Sequence, residues 1–165
     1  AFLFCCYAGM RYSDFTNLSK KNIVDINQET WLIYKSVKTG TEVRLPLYLL
    51  FAGKGIVILN KYRNNLEDFF LLRDNSNINK DLIIIAKLAG LSKKISFHTA
   101  RHTNATLLIY NGVNITTVQK LLGHKSVKTT QVYTNIMDMT IVHDLEKIKQ
   151  AALGIKKKTD NSFNK

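Results

Sequence analysis

The sequence predicts a mainly α-helical domain with a small three-stranded antiparallel sheet. Three observations carry this. Alternation of period two is confined to residues 22–47, where turn-forming clusters break it at Asn27-Gln28-Glu29 and at Lys38-Thr39-Gly40. Helical periodicity with clear stop signals recurs on both sides of that stretch. At 165 residues and 45% hydrophobic content, the chain can bury a core as one domain.

Ala1 to Ala8 is apolar nearly all round, as in a buried helix, and Gly9 stops it before Met10-Arg11-Tyr12-Ser13-Asp14. Arg11 therefore falls at a helix junction, free to bind a ligand or to pair with Asp14. Ser13 or Asp14 is placed to cap a short helix running towards Leu18. The predicted strands are Asn22 to Ile26, Trp31 to Ser36 and Thr41 to Leu45, with Lys38 at the tip of the second hairpin. Pro46 ends the sheet, and Gly53 and Gly55 lead into a helix from Ile56 to Tyr62. Asp68 to Leu72 is a short apolar run followed by a polar loop through Asn79. Asp81 to Ala89 reads as a mostly buried helix closed by Gly90.

Ser96 is a natural N-cap for a helix from Phe97 to Tyr110 that stops at Asn111-Gly112. A second helix begins at Asn114 and ends at Leu122-Gly123, which displays His124 just past a helix end and aims its ring at a cleft rather than the core. Ser126 or Thr129 starts a short helix carrying Tyr133. After Asp138, the residues Ile141, Leu145, Ile148 and Ala152 fall on one face of a final helix. Beyond Gly154 come Lys156-Lys157-Lys158 and polar residues, a basic tail too polar to pack.

The formal charge of +12 exceeds what solubility requires and points to a polyanionic partner. No apolar run is long enough to span a bilayer, so no membrane role is expected. Cys5 and Cys6 are adjacent and cannot easily bridge, so they read as buried thiols of a reducing compartment. His98 and His102 have helical spacing, but no third ligand is near in sequence, and no metal is expected. His102 reads instead as a residue that packs or bonds within the fold.

His98 and Arg101 are three residues apart in the first turns of a helix and so share a face. Unpaired N–H groups, a guanidinium fork and an imidazole together make an anion site that suits a phosphate. Arg11, Lys38, His98-x-x-Arg101, Leu121-Leu122-Gly123-His124 and Tyr133 also follow in the order and spacing of the tyrosine recombinase (phage integrase) family. The chain resembles that family's catalytic domain over almost its whole length. Gly9 to Asp14 looks like the first arginine box, Phe97 to Leu107 like the His-x-x-Arg box, and Leu121 to Tyr133 like the last. Its wording is most similar to mobile-element and conjugative transposon integrases of Bacteroidetes.

The resemblance implies a fold like the tyrosine recombinase and type IB topoisomerase catalytic core, spanning residues 1–153, with residues 154–165 as the tail. It also implies that an N-terminal core-binding domain is absent from this chain. The implied catalytic set is Arg11, Lys38, His98, Arg101, His124 and Tyr133, working without metal or nucleotide cofactor. In the family a tyrosine attacks a DNA phosphodiester, leaving a 3′-phosphotyrosyl bond and a free 5′-hydroxyl. Tyr133 would be the nucleophile, and Arg11 and Arg101 would hold the non-bridging oxygens. Lys38 would protonate the leaving oxygen, a role for which Lys35 on the preceding strand is the alternative. His98 would assist proton transfer and His124 would bond the phosphate.

Implied partners are double-stranded DNA and a homotetramer on synapsed DNA sites, assembled through the helix from Ile141 to Ala152, which could equally pack on its own domain. Accessory DNA-bending or excision factors, and a cytoplasmic, nucleoid-associated location, complete the expectation. Type IB topoisomerase-like relaxation and a non-catalytic DNA-binding module remain as alternatives.

Overall fold

The computed structural model describes residues 1–134 and, past them, Leu145, Glu146, Ile148 and Lys149. Helices α1 (Phe2–Ala8) and α2 (Tyr12–Phe15) precede strands β1 (Ile23–Ile26), β2 (Glu29–Lys35) and β3 (Glu42–Pro46). Six more helices follow among the described residues: α3 (Lys54–Lys61), α4 (Leu66–Phe70), α5 (Asn75–Leu88), α6 (Phe97–Tyr110), α7 (Ile115–Leu122) and α8 (Lys128–Gln131). The mainly helical fold with one antiparallel sheet is as the sequence predicts.

The strands pair in the order β1-β2-β3, with Leu32 opposite Leu45 and Tyr34 opposite Val43. Period-two alternation sends these four side chains to the same face, and all four are buried. On the helical side, Phe15 meets Phe69 at 5.4 Å and 78°, and also packs on Phe4, Phe70 and Phe97. This aromatic knot holds α2, and with it the start of the site, against α1, α4 and α6.

Helix α6 is the central brace. Asn104, buried at its middle, donates to the carbonyls of Cys6 at 3.1 Å and Tyr7 at 2.9 Å, which α1 leaves open at its C-terminus. Gly9 closes α1 with φ 66°. A Cβ there would lie 2.6 Å from Asn104 Oδ1, so only glycine permits the approach.

Several sequence expectations need correction. The segment through Asn79 is not a loop: α5 starts at Asn75 because Asp74 accepts from the backbone N–H groups of Ser76 and Asn77. Nor is that helix mostly buried. Only Leu82 and Ala86 turn fully inward, while Ile83, Ile84, Ile85 and Leu88 are exposed. Neither Ser13 nor Asp14 caps α2, which begins from Arg11, and α8 is preceded by Val127 rather than started by Ser126 or Thr129. Cys5 is buried but Cys6 only partly. Of the predicted last helix, Leu145, Glu146, Ile148 and Lys149 are helical and exposed; the other residues of Ile141 to Ala152, and the tail from 154 to 165, lie outside the described residues.

Candidate active site

Arg11 starts α2, and its Nη1 lies 3.4 Å from Asp14 Oδ2 and 3.2 Å from Ser36 Oγ. Asp14 is buried and does more than balance that charge. Its Oδ1 accepts from Ser36 Oγ at 3.2 Å and from the Val37 N–H at 2.8 Å. One carboxylate thereby fastens the base of the β2–β3 turn to the helix that carries Arg11. Thr39 Oγ1, on the far side of the turn, donates to the Gly123 carbonyl at 3.0 Å. Lys38 stands exposed between these two tethers. It lines a cleft of about 310 Å³ with Arg11, Tyr12, Ser13, Asn75, Asn79, Ser96 and His98.

Arg101 is only 1% exposed. Its Nη1 donates to Gly9 O at 2.8 Å and its Nη2 to Leu122 O at 2.5 Å. Both acceptors sit at helix C-termini, where unpaired carbonyls and the negative dipole end favour a cation. Burial and then the nearby Arg11 still pull its pKa down to about 10, so it stays protonated at neutral pH. An anion placed here would relieve the uncompensated positive charge.

His124 follows Gly123, whose φ of 63° turns the chain out of α7. A Cβ on Gly123 would come within 2.6 Å of Val43 Cγ2. The His124 Nδ1 and buried Thr130 Oγ1 are 2.9 Å apart, which fixes the ring. The residue follows the helix end directly, as the sequence predicts, and is 7% exposed. Burial, then Arg101, Arg11 and His98, lower its pKa to about 4 and leave it neutral at pH 7. His98 is likewise held below its ordinary value, by desolvation first and then by His102, Arg101, Arg11 and Lys38.

Tyr133 lies two residues past the end of α8 rather than within it, with its N–H on Thr130 O at 3.1 Å. Burial raises its phenol pKa, while Arg101 and Arg11 pull it down. All six predicted residues thus fall in one electrostatic neighbourhood. Lys38 shares the cleft with Arg11 and His98, whereas Lys35 is an exposed residue at the end of β2 outside that lining.

Sequence reasoning missed Thr130 and saw only part of what Asp14 and His102 do. The Arg11–Asp14 pair is as the sequence suggests, but the further Asp14 partners Ser36 and Val37 come from the hairpin. Thr130 reaches His124 across a loop that no periodicity marks. His102 is exposed, and its ring packs against those of both His98 and Tyr133.

Residues 1–139 match the profile of the phage integrase family. The chain belongs to that family. Tyrosine recombinase XerC of Rickettsia prowazekii (strain Madrid E) is 30% identical over 159 residues, which cover 91% of this chain and 49% of the relative. This integrase-family chain thus spans about half the length of that curated relative. The crystal structure of XerA recombinase superposes with a TM-score of 0.68 at 27% identity, covering 88% of this chain and 55% of the other. A lambda integrase tetramer bound to a Holliday junction shares the fold at 21% identity and TM-score 0.65, over 80% of this chain and 40% of that one. Among the described residues, no group of three or more His, Cys, Asp or Glu side chains could hold a metal ion, and no helix is long and apolar enough to cross a membrane.

Proposed function

We propose that this chain is the catalytic part of a site-specific DNA recombinase that cuts and rejoins strands through a 3′-phosphotyrosyl intermediate. The observation that carries the reading is the gathering of Arg11, Arg101, Lys38, His98 and His124 in one electrostatic neighbourhood with Tyr133. The Tyr133 oxygen attacks phosphorus, the bond to the 5′-oxygen breaks, and the phenolic proton leaves with the help of His98. Lys38 hands a proton to the departing 5′-oxygen. Negative charge grows on the non-bridging oxygens, to which Arg11 and Arg101 donate hydrogen bonds from fixed positions. Neutral His124, oriented by Thr130, donates a hydrogen bond to the same phosphate.

Burial raises the phenol pKa, so Tyr133 is protonated at rest and loses its proton as the bond to phosphorus forms. The bond to tyrosine conserves the phosphodiester energy, so a different 5′-hydroxyl can reverse the attack and exchange strands without a nucleotide cofactor.

The finer reading is integration or excision of a mobile element of the conjugative transposon type, suggested by the overall wording of the sequence. The proposed working unit is a homotetramer on synapsed duplex sites in the cytoplasm, joined through the C-terminal helix and aided by DNA-bending or excision factors. The apolar Leu145 and Ile148, 60% and 66% exposed in the single chain, favour docking onto a neighbour over packing in cis. Truncation after Asn135 should then reduce the size of the assembly on DNA; an unchanged size contradicts trans docking.

The chemistry is tested with a library of nicked duplexes whose cleavable strand loses its 5′-hydroxyl product, so that the covalent adduct accumulates. A protein–DNA adduct that survives denaturation, absent with Tyr133→Phe, is expected. An adduct formed equally by Tyr133→Phe removes the nucleophile assignment.

A further inference from the structure

A contact that this mechanism leaves unused lies on the exposed side of α6. His98 and His102 are one helical turn apart, and their rings meet edge to face with centroids 4.5 Å apart at 89°. His102 then meets the Tyr133 ring at 5.4 Å and 61°. The three rings form a continuous row from the cleft that His98 lines to the buried phenol.

The backbone around Tyr133 provides little rigidity. Helix α8 has 4 residues and ends at Gln131, and the Tyr133 N–H bonds back to Thr130 O within the same short turn. A phenol has two side-chain torsions, and its oxygen must lie in line with the bond it displaces. A misplacement of about 1 Å costs on the order of 100-fold in rate. Edge-to-face ring contacts have a preferred angle, so a ring abutting Tyr133 from the rigid α6 restricts both torsions. His102 projects from a 14-residue helix anchored by buried Arg101 and Asn104, and supplies that abutment.

We propose that His102 is a positioning residue for Tyr133, holding the phenol ring in its attack orientation through ring contact and not through the phosphate. The proposal rests on Tyr133 being the nucleophile of the proposed function. No bond to His102 forms or breaks in the reaction. Because His102 is exposed, its replacement leaves the core of α6 in place.

The test measures single-turnover adduct formation on a nicked duplex recovered by covalent capture from the library. The full chain is compared with His102→Ala and His102→Phe, and the thermal midpoint and duplex affinity of each are measured in parallel. His102→Ala should slow adduct formation by about 10-fold to 100-fold, with midpoint and affinity unchanged. His102→Phe keeps a flat ring edge without a titratable nitrogen, and should recover most of the rate.

Three results overturn the proposal while leaving the recombinase reading intact. They are an unchanged rate in His102→Ala, a loss of duplex affinity that accounts for its slower rate, and a His102→Phe protein as slow as His102→Ala. Absence of any adduct from the unaltered chain overturns the recombinase reading and this proposal together.

Discussion

Arg101 and Lys38 belong to the same candidate site and are held in opposite ways. The guanidinium is 1% exposed, clamped between the carbonyls of Gly9 and Leu122, so that two helix ends define its position. The lysine stands exposed on a turn, and only its neighbours are tied down, Val37 to Asp14 and Thr39 to Gly123. The difference matches what each group has to do. Charge developing on a phosphate oxygen is best met by a donor that needs no reorganisation, whereas delivering a proton requires a group that can approach and withdraw.

Replacing Arg101 tests the rigid side and should have the largest effect. Arg101→Ala is expected to cut adduct formation by on the order of 100-fold to 1,000-fold, as for loss of one preorganised donor. It also strands two buried carbonyls, costing about 1–3 kcal/mol each in unfolding measurements. An unchanged thermal midpoint would show that the carbonyl clamp contributes nothing to the fold.

The mobile side is tested at the leaving group. Lys38→Ala should slow cleavage by about 100-fold or more, in the range of general acid catalysis. That loss should nearly vanish when the 5′-bridging oxygen is replaced by sulfur, since a thiol with pKa about 8.5 departs without a proton. If Lys35→Ala shows the loss and the sulfur rescue instead, the role moves to the strand.

Gly123 links the two sides, since its carbonyl holds Thr39 and the next residue is His124. Gly123→Ala forces a side chain into φ 63° and against Val43. A stability loss of about 1–2 kcal/mol is expected from the backbone conformation alone, with slower cleavage as His124 shifts. Wild-type stability in this variant would mean the turn relaxes freely.

The dependence on pH tests how His124 is held. The His124 pKa falls from 6.5 to about 4 on folding, so the unfolded chain takes up the proton first. His124 therefore contributes stability that is fully present above about pH 6.5 and is lost progressively as pH falls towards 4. The thermal midpoint should drop less across this window in His124→Asn than in the unaltered chain. Identical slopes would mean that the imidazole is not held neutral by its surroundings.

How much of this was legible in the sequence varies with the kind of interaction. The strands, α1, α6 and α7 follow from local periodicity and from stops such as Gly9 and Gly123, whose φ values are positive as a helix exit requires. The start of α5 escaped because Asn75-Ser76-Asn77 is polar, and only the Asp74 side chain makes a helix start there. Its exposure escaped because a run such as Ile83-Ile84-Ile85 occupies every face and does not say which one is inside. Within the site, the charged residues stand out by spacing. What holds them does not: the Asp14–Val37, Thr39–Gly123 and Arg101–Gly9 bonds join segments far apart in the chain, and two of the three end on backbone oxygens that carry no residue-specific signal.

The central claim is that Tyr133 becomes covalently joined to a DNA 3′-phosphate. Mass spectrometry of the trapped adduct after protease and nuclease digestion tests it directly. The account predicts a nucleotide 3′-phosphate on the peptide containing Tyr133, with a free 5′-hydroxyl on the released strand. A 5′-phosphate linkage, or attachment at any other residue, would contradict it.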